Sequence, residues 1–420
     1  MRTRQKCRKT AICSLQNEVD MLEELILAHQ EVMSLVPLHF KRYLYEGINW
    51  RSAGLCVVGD RGVGKTTMIC QDLLERYKTP DRALYLSADY IPVLSYGLLN
   101  IAKAYFAEGG EALYIDEVHK YPDWSIVIKN LLDIYKGRQV VFSASSSLDL
   151  NQSKADLSRR VVYHRLLGLS FREYLFLAEK IELPTWTFAE LLKNHVEIAL
   201  NLKAMPILRH FKNYLRYGYY PFFKEGLEDY VPKLVNVIEK VLFEDVAITY
   251  NLKQTTLPIL KRILWLVATS NGLIPNIDKM SKNLGSSREL VYNCIEYLSS
   301  SGLLNEVFPF GKGNTIIRKP GKIYLNNPNL LYAINGSLKL RADVGGVREA
   351  FFVNQVTGKH KITLHDKGDF LVDDQWVVEI GGKNKSDHQI RDEKEGYFLL
   401  DDLPIGFGKK IPLYLFGCLY

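Results

Sequence analysis

The sequence predicts an α/β protein: a parallel sheet with helices on both faces, followed by a helical region and two smaller modules. In the first 170 residues, short apolar runs alternate with helical or polar segments, which is typical of parallel strands joined by helices. From about residue 171 to 255 these runs stop, and the apolar periodicity is helical throughout. After residue 256, three helical stretches lead into a strand-like ribbon, and a last α/β pattern begins after residue 343.

Five short apolar runs predict the strands of the first sheet. Residues 17–45, an amphipathic helix and an aromatic-rich segment, precede them. Helices between the strands show apolar residues at three- and four-residue spacing, most clearly over Trp124–Tyr135. We therefore place a first domain at residues 1–170 and a helical region at 171–255. The five runs are Leu55–Val58, Ala83–Leu86, Ala112–Ile115, Gln139–Phe142 and Val161–Tyr163.

The length and composition of the chain fit a globular protein of two or three domains. Of its 420 residues, 47% are hydrophobic and 24% are charged, which excludes a mainly disordered or fibrous chain. No stretch approaches the ~18 uninterrupted apolar residues of a membrane-spanning helix, so we expect no membrane partner. The six cysteines form no C-x-x-C pair, and we expect reduced, buried thiols and a cytoplasmic location.

Positive charge is concentrated in two places. The net charge is +7, and residues 251–345 hold 12 Lys and Arg against 5 Asp and Glu. The first ten residues carry five basic side chains and no acid, as a solvated tail or a DNA-touching arm would. The basic middle segment makes double-stranded DNA a candidate partner.

The strongest motif is a glycine-rich loop between a strand and a helix. Residues 59–66 fit the pattern G-x-x-x-x-G-K-[ST], follow Leu55–Val58 and open a predicted helix, Thr66–Tyr77. Glycines let the backbone fold around phosphate oxygens, so that N–H groups point inward at the helix N-terminus. The loop supplies a lysine for the β- and γ-phosphates and a threonine hydroxyl for Mg²⁺. The predicted phosphate-binding residues are Gly59, Asp60, Arg61, Gly62, Val63, Gly64, Lys65, Thr66 and Thr67.

Two adjacent acids follow another buried strand. Asp116 and Glu117 come directly after Ala112–Ile115, at the carboxyl end of the strand, where ligands bind in parallel sheets. Asp116 suits the shell of Mg²⁺ together with Thr66, and Glu117 is placed to polarise an attacking water. A glutamate in this place favours hydrolysis over phosphoryl transfer to a small substrate. We expect the strand that carries these acids to be adjacent to the loop strand in the sheet.

Four further side chains are candidates for contact with the γ-phosphate. Ser143 and Ser145 lie at the end of the run that starts at Gln139, and either hydroxyl could bind the phosphate. Arg159 and Arg160 precede the last strand, and either could act as an arginine finger, in this chain's own site or in a neighbour's. An ordinary polar strand end and a solvated arginine pair are the alternatives. The predicted catalytic set is Lys65, Glu117, Ser145 and Arg160.

These motifs resemble those of a family of prokaryotic AAA-type ATPases that carry an N-terminal P-loop domain and a C-terminal restriction-endonuclease-like module. The resemblance implies ATP as the nucleotide, Mg²⁺ as the cofactor, and the folds of both modules. Family members often have Gly before the arginine at position 160, where this chain has Arg159. The matching segments are GDRGVGKTT (59–67), LYIDEVHKYPDW (113–124), FSASSS (142–147), DLSRR (156–160), LSFREYL (169–175), REAFFVNQ (348–355) and EIGGKNKS (379–386).

Residues 256–334 predict a winged helix, because a helix and a helix-turn-helix precede a β-ribbon. The predicted elements are helices Leu257–Ser270, Asn276–Leu284 and Ser287–Ser300, and strands Leu304–Phe308 and Thr315–Tyr324. The third helix is not basic, so the wing is the part suited to phosphate contact. An internal regulatory or protein-docking module is the alternative to a DNA-binding one. The basic residues of the wing are Lys312, Arg318, Lys319 and Lys322.

Residues 343–420 predict a small α/β domain. Its predicted strands lie near Lys361–Leu364, Phe370–Val372, Trp376–Ile380 and Ile411–Phe416. Four of its charged residues resemble the metal-binding cluster of endonucleases, namely Glu349, Asp369, Glu379 and Lys383.

The spacing within this cluster makes two testable points. A three-residue loop over Asp373–Gln375 would pair Asp369 and Glu379 on one face of a hairpin, whereas a two-residue turn would place them on opposite faces. In the usual nuclease the lysine stands two residues after the glutamate, where this chain has Gly381. We therefore predict a degenerate or altered site.

The sequence leaves three functions open. The first is an Mg²⁺-dependent AAA-type ATPase whose nucleotide state repositions the winged helix and the C-terminal module, with DNA as a candidate partner. The second is an ATP-binding regulatory or signalling switch with little turnover. The third is an ATP-regulated, metal-dependent DNA nuclease. An arginine finger from a neighbour would require an oligomer.

Overall fold

The computed structural model divides into two compact units. The first unit holds Met1–Gly59 and Gly64–Leu166, and the second holds Asp60–Val63 and Leu167–Tyr420. No described helix is both long and apolar enough to cross a membrane. Cys56, Cys70, Cys294 and Cys418 are buried, as expected, and none of the four is in a disulfide. The structure describes residues 19–145, 157–311, 320–383, 385, 390 and 393–420.

The first unit contains a five-stranded sheet in which every neighbouring pair is parallel. Each of the five predicted apolar runs forms a strand; four of these strands are almost entirely buried, as runs in the interior of a parallel sheet are, whereas the fifth, at one edge of the sheet, is partly exposed. The strand order is β2-β3-β4-β1-β5. The strands are β1 (Gly54–Gly59), β2 (Ala83–Ser87), β3 (Ala112–Asp116), β4 (Gln139–Ser145) and β5 (Val162–Leu166).

The expected adjacency of the loop strand and the acid strand is wrong. β4 lies between β1 and β3, with Val57 paired to Ser143 on one side and Ile115 paired to Phe142 on the other. All seven residues of β4 are buried, so this strand needs a neighbour on each edge and takes the centre of the sheet. Its serines therefore end between the phosphate loop and the acids.

Helices cover both faces of this sheet. Alternate strand residues such as Cys56, Ile115 and Phe142 share an apolar cluster with the α1, α3, α4 and α5 helices. The buried residues of α2, such as Met68, lie outside that cluster and cover the other face. Asp116 and Ser143 alternate with the clustered residues and face α2. The helices are α1 (19–34), α2 (Lys65–Arg76), α3 (Ile91–Tyr96), α4 (Leu98–Ala107) and α5 (Trp124–Ile134).

The second unit begins with the predicted helical region. Ser170 and Thr187 form capping boxes at the starts of α6 and α7. Two predicted helices are shorter than expected, since α8 continues as a π-helix over Tyr214–Gly218 and α9 as a π-helix over Val241–Val246. Such π-helical turns are rare in proteins as a whole, and many of those known lie at functional sites. The helices are α6 (Phe171–Glu179), α7 (Phe188–Asn201), α8 (Ile207–Asn213) and α9 (Tyr230–Lys240).

The three helices predicted after residue 256 are present and lead into an antiparallel strand pair, β6 (Leu304–Pro309) and β7 (Lys322–Leu325). Asn276 and Ser287 cap the second and third helices through their side chains. The wing residues Lys312, Arg318 and Lys319 lie outside the described residues. The helices are α10 (Leu257–Ala268), α11 (Ile277–Leu284), α12 (Arg288–Ser300), α13 (Pro328–Ser337) and α14 (Val344–Thr357).

A seven-stranded sheet joins β6 and β7 to the C-terminal strands, in the order β12-β11-β10-β9-β8-β6-β7. The predicted strand Ile411–Phe416 is mostly wrong, because Pro412 ends the pairing with β11 and Leu413–Cys418 forms a 3-10 helix. The strand β11 was not predicted from the sequence. The C-terminal strands are β8 (Ile362–Leu364), β9 (Phe370–Val372), β10 (Trp376–Gly381), β11 (Gly396–Leu400) and β12 (Lys410–Pro412).

Candidate functional site

The glycine-rich loop joins the end of β1 to the start of α2. Gly62 and Gly64 have φ values of 83° and 99°, in the left-handed region that favours glycine. Gly64 is the residue before the first turn of α2, so this conformation turns the chain directly into the helix. The N-terminus of a twelve-residue helix therefore faces the loop, as an anion-binding site needs.

Lys65 and Thr66 occupy the first turn of α2. The Lys65 side chain is 4% exposed, and its Nζ donates to the carbonyl oxygen of Gly59, 3.0 Å away. The ammonium group thus lies across the loop rather than in solvent. The Thr66 Oγ1 donates to Asp116 Oδ2 at 2.7 Å. The loop and the acid strand therefore meet in one site, as the sequence predicted.

Hydroxyl groups surround the Asp116 carboxylate. Besides Thr66, the Tyr85 hydroxyl donates to Oδ2 at 3.2 Å and the Ser143 hydroxyl donates to Oδ1. Burial and the negative charge of Asp116 raise the pKa of Tyr85 well above its usual value, so the phenol stays protonated. Sequence reasoning missed Tyr85; the signal was its position on β2, in register with Tyr114 and on the same face as Asp116.

Glu117 has an unusual backbone conformation for a glutamate. Its φ is 51°, in the left-handed region, which costs an L-residue about 1–2 kcal/mol. The backbone N–H donates to Ser143 Oγ at 2.9 Å, and the carboxylate lies 3.4 Å from His119 Nε2 and 3.8 Å from Lys120 Nζ. Lys120 also pairs with Asp89 after β2. Strain of this kind is common where a side chain must be aimed at a reacting group.

Of the two candidate serines, Ser143 is the one that contacts the acids. It donates to Asp116 and accepts from the N–H of Glu117. Ser145 ends β4, and its backbone N–H donates to His119 Nδ1 at 3.4 Å. A phosphate contact by the Ser145 hydroxyl stays a prediction.

Arg160 lies at the end of the sheet where β1 begins, whereas the loop lies at the end where β1 finishes. Its carbonyl oxygen would be 2.4 Å from a Cβ built on Gly54, the first residue of β1, whereas the phosphate loop follows the last. At about 3.3 Å per residue, the two ends of β1 are roughly 16 Å apart. The guanidinium pairs with Asp133, 2.7 Å away. A finger acting on this chain's own site is therefore wrong; a finger acting on a neighbour's site stays a prediction.

The middle of the loop, Asp60–Val63, is held within the second unit. Arg61 Nη1 lies 3.1 Å and 3.3 Å from the two carboxylate oxygens of Asp245, which is on a π-helix. A Cβ on Gly62 would lie 3.2 Å from the ring of Phe222. Thr67 follows in α2 and is half-buried. The conformation of the loop is thus fixed by packing as well as by its glycines.

The predicted nuclease-like cluster is partly assembled. β9 and β10 pair Phe370 with Val378, so the hairpin loop has three residues and places Asp369 opposite Glu379, as the three-residue alternative required. Asp369 Oδ2 accepts from the N–H of Ile380 at 2.7 Å. Glu349 accepts from Tyr324 and from Lys322, at 2.6 Å and 3.2 Å. Burial, then the charge of Asp369, raises the pKa of Glu349.

The lysine of this cluster is Lys385 and not the predicted Lys383. Lys385 Nζ lies 2.5 Å from Glu379 Oε1, whereas Lys383 is exposed. A Cβ on Gly381 would lie 2.8 Å from the Lys385 side chain, so a glycine makes room for the lysine to reach back. Within the part of the chain that the structure describes, no three His, Cys, Asp or Glu side chains are placed to hold a metal ion. The possible metal site at these residues therefore stays a prediction, and in this structure Lys322 and Lys385 pair with two of its acids, Glu349 and Glu379.

Two family models match parts of the chain. Residues 52–175 match the model of an AAA domain, and residues 208–342 match a domain of unknown function, DUF8612. An uncharacterized protein of Methanocaldococcus jannaschii is 28% identical over 283 residues, which are 64% of this chain and 59% of that protein. The chain thus spans about three fifths of the length of this relative. The first match identifies the loop and its sheet as a P-loop domain of the AAA type.

The comparison with solved structures found weak matches, of which two are nucleotide- or DNA-bound proteins. The Orc1 protein of Aeropyrum pernix, in complex with DNA, is 12% identical with a TM-score of 0.31, over 74% of this chain and 91% of that one. The AMPPCP-bound DnaA of Aquifex aeolicus is 15% identical with a TM-score of 0.26, over 61% of this chain and 84% of that one. Similarities this low carry no functional argument.

Proposed function

We propose that this protein is an Mg²⁺-dependent ATPase of the AAA type that binds and hydrolyses ATP. One contact carries the proposal: the Thr66 hydroxyl lies 2.7 Å from the Asp116 carboxylate, and Lys65, whose ammonium lies across the loop, directly precedes Thr66. These are the three groups that phosphate and its metal need, and two distant segments of the chain bring them together. Burying the Asp116 carboxylate with no cation beside it in the described part of the chain costs free energy, which a bound metal ion would offset.

The residues fit the nucleotide and its metal. Gly62 and Gly64 allow the loop to present N–H groups to phosphate, and the N-terminus of α2 adds the positive end of a helix dipole. Thr66 and Asp116 offer oxygen ligands, which Mg²⁺ prefers, and substrate phosphates complete such a shell. When bound, Mg²⁺ neutralises the charge that develops on the phosphate oxygens. Lys65, the first residue of α2, contributes a further positive charge at this end of the helix.

Glu117 orients a water molecule and accepts its proton. Its left-handed backbone and the hydrogen bond from its N–H to Ser143 fix where the carboxylate starts, next to Asp116. His119 and Lys120 hold the carboxylate from the side. A general base must lie within hydrogen-bond reach of the proton that it takes, so this positioning is what the reaction requires.

Turnover and binding, measured separately, test the proposal. We expect the wild type to hydrolyse ATP and Glu117→Gln to lose about 10²–10⁴ of the rate while it still binds ATP. Lys65→Ala is the matched variant that loses binding as well. Tight binding with negligible wild-type turnover would instead support the switch, and neither binding nor turnover would sink both functions.

An arginine finger supplied by a second copy is part of the proposal. Arg160 lies at the end of the sheet away from its own loop and is partly exposed, as a residue that contacts a neighbour's site would be. Mixing Arg160→Ala with Lys65→Ala tests this directly. We expect each variant alone to be inactive and the mixture to regain turnover; a mixture that stays inactive contradicts a finger in trans.

Coupling of the nucleotide to the second unit is supported by Arg61. This loop residue is paired with Asp245 within that unit, so a change in the loop has a route to its helices. The helices α10–α12 and the strands β6 and β7 follow the order of a winged helix, which supports double-stranded DNA as the partner. ATP turnover with and without duplex DNA tests this, and a rate that DNA leaves unchanged contradicts it.

A further inference from the structure

A groove lies between α10 and α11 in the second unit. Its volume is about 460 Å³, within the range of ligand-binding clefts. One wall comes from α10, a second from α11, and the segment that joins them closes one end. The apolar residues that line it are Leu266, Leu273, Ile274, Met280 and Leu284.

Two of these apolar side chains are exposed to solvent. Ile274 is 69% exposed and Leu266 is 38% exposed, although both line the same groove. Single exposed apolar residues are ordinary, whereas neighbouring ones around a concave surface mark an interaction site. The groove therefore offers apolar area that a partner would remove from water.

The walls of the groove are fixed before any partner binds. The N–H of Leu273 donates to the carbonyl of Ile323 at 2.9 Å, and the N–H of Ile323 donates back at 2.9 Å. The Asn276 side chain caps α11 by accepting from the N–H of Lys279 at 3.0 Å. Rigid walls lower the ordering cost of binding, so a small groove can still hold a ligand.

The charge at the rim has one sign. Arg262 and Lys279 are the charged residues that line the groove, and neither has a carboxylate partner among the described residues. The acid next to Lys279 in sequence, Asp278, is engaged by Arg288. The groove thus presents an apolar floor between uncompensated positive charges.

We propose that this groove binds a short amphipathic helix of an acidic partner protein. Apolar side chains at helical spacing would fill the floor, as in other helix-in-groove complexes, and flanking carboxylates would pair with Arg262 and Lys279. The apolar floor favours a peptide over DNA, since a duplex offers phosphates but no matching apolar surface. None of the residues that line the groove belongs to the ATPase site, so the test does not depend on turnover.

A defined probe tests the proposal on the full chain. The probe is a fluorescent synthetic helix of about 15 residues, with leucines at i, i+3 or i+4, and i+7, flanked by glutamates. We expect saturable binding by fluorescence anisotropy, and at least a tenfold loss of affinity in Lys279→Glu, equal to about 1.4 kcal/mol. Arg262→Glu should also weaken binding. The matched control is Lys282→Glu, an exposed lysine on the same helix that does not line the groove.

Each other outcome overturns the proposal. If the wild type shows no saturable binding, the groove is not a docking site for such a helix. An equal loss in Lys282→Glu would mean that general charge attraction, and not the groove, holds the probe. A duplex DNA that displaces the probe, and whose own affinity falls in Lys279→Glu, would assign the groove to nucleic acid instead. Equal binding of a probe with lysines in place of its glutamates would contradict the pairing of its acids with Arg262 and Lys279.

Discussion

Two regions of this molecule contain clustered acids and lysines, and the carboxylates have different partners in each. At the phosphate loop, Asp116 accepts hydrogen bonds from the hydroxyls of Thr66, Tyr85 and Ser143, and no cation pairs with it among the described residues. In the C-terminal cluster, Glu349 pairs with Lys322 and Glu379 pairs with Lys385.

Hydroxyl donors hold a carboxylate in place without cancelling its charge. The first site therefore offers a metal ion a carboxylate with which no described cation pairs, whereas in the second region lysines already pair with two of the three acids. Acid content alone does not distinguish a metal site from an ion-pair network; the identity of the donors does. We expect the first acids to affect turnover and the second to affect stability.

The largest predicted effect comes from removing the charge of Asp116. Asp116→Asn keeps the shape and most hydrogen bonds but removes the ligand charge, which is worth several kcal/mol in metal-assisted transfer, about a hundredfold or more in rate. Steady-state ATP turnover measures it. The same chemical change in the other region, Glu379→Gln, is the control and should leave turnover within about twofold. Equal losses in the two variants would break the distinction between the regions.

Removing Lys385 should destabilise the second unit. Lys385→Met leaves the buried Glu379 carboxylate without its cation, at a cost of about 1–3 kcal/mol in the free energy of unfolding. Lys383→Met is the matched control, because its side chain is exposed, and we expect a change within about 0.5 kcal/mol. Chemical denaturation measures both. If Lys383→Met costs as much as Lys385→Met, the assignment of the lysine is wrong.

A smaller effect is expected at Ser143. Ser143→Ala removes one donor to Asp116 and the acceptor for the N–H of Glu117, and each net hydrogen bond is worth about 1 kcal/mol. We expect roughly a tenfold lower turnover and a higher Mg²⁺ concentration for half-maximal rate. Ser145→Ala should leave the Mg²⁺ dependence unchanged, since Ser145 does not contact Asp116. A shift of the Mg²⁺ requirement in both variants would contradict this division of roles.

Motif spacing predicted the acids of the first site because strand, loop and helix follow one another locally. The meeting of Thr66 and Asp116 could be predicted from the loop motif, which opens a helix, and from an acid at the end of a strand. The central position of β4 could not, because strand order depends on pairing between distant segments. Tyr85 was missed for the same reason: its role arises only when β2 lies beside β3.

The C-terminal region shows a different limit. The three-residue hairpin loop followed from the alternation of side chains along a strand, so the pairing of Asp369 and Glu379 was within reach of the sequence. The choice between Lys383 and Lys385 was not, since it depends on how the chain bends after Gly381 and Gly382. A glycine pair permits several bends, and only packing selects one.

The last prediction concerns the pH dependence of stability at Glu349. Burial and the nearby charge of Asp369 raise the pKa of Glu349 above its usual 4.5, against the opposing effects of Lys322 and Tyr324. Between the usual and the raised pKa, the folded chain binds this proton more often than the unfolded chain does. The contribution of this carboxyl to stability therefore falls as the pH rises through that interval, with the loss complete above the folded pKa.

Glu349→Gln removes this titration, because glutamine stays neutral at every pH. Relative to the wild type, the variant should gain free energy of unfolding as the pH rises above about 4.5, and the two slopes should agree below it. Denaturation of both proteins across this interval measures the difference. A difference that shrinks with rising pH would mean that Lys322 stabilises the ionised Glu349 carboxylate more than burial opposes it. The distinction between this cluster and the Asp116 site would then be wrong.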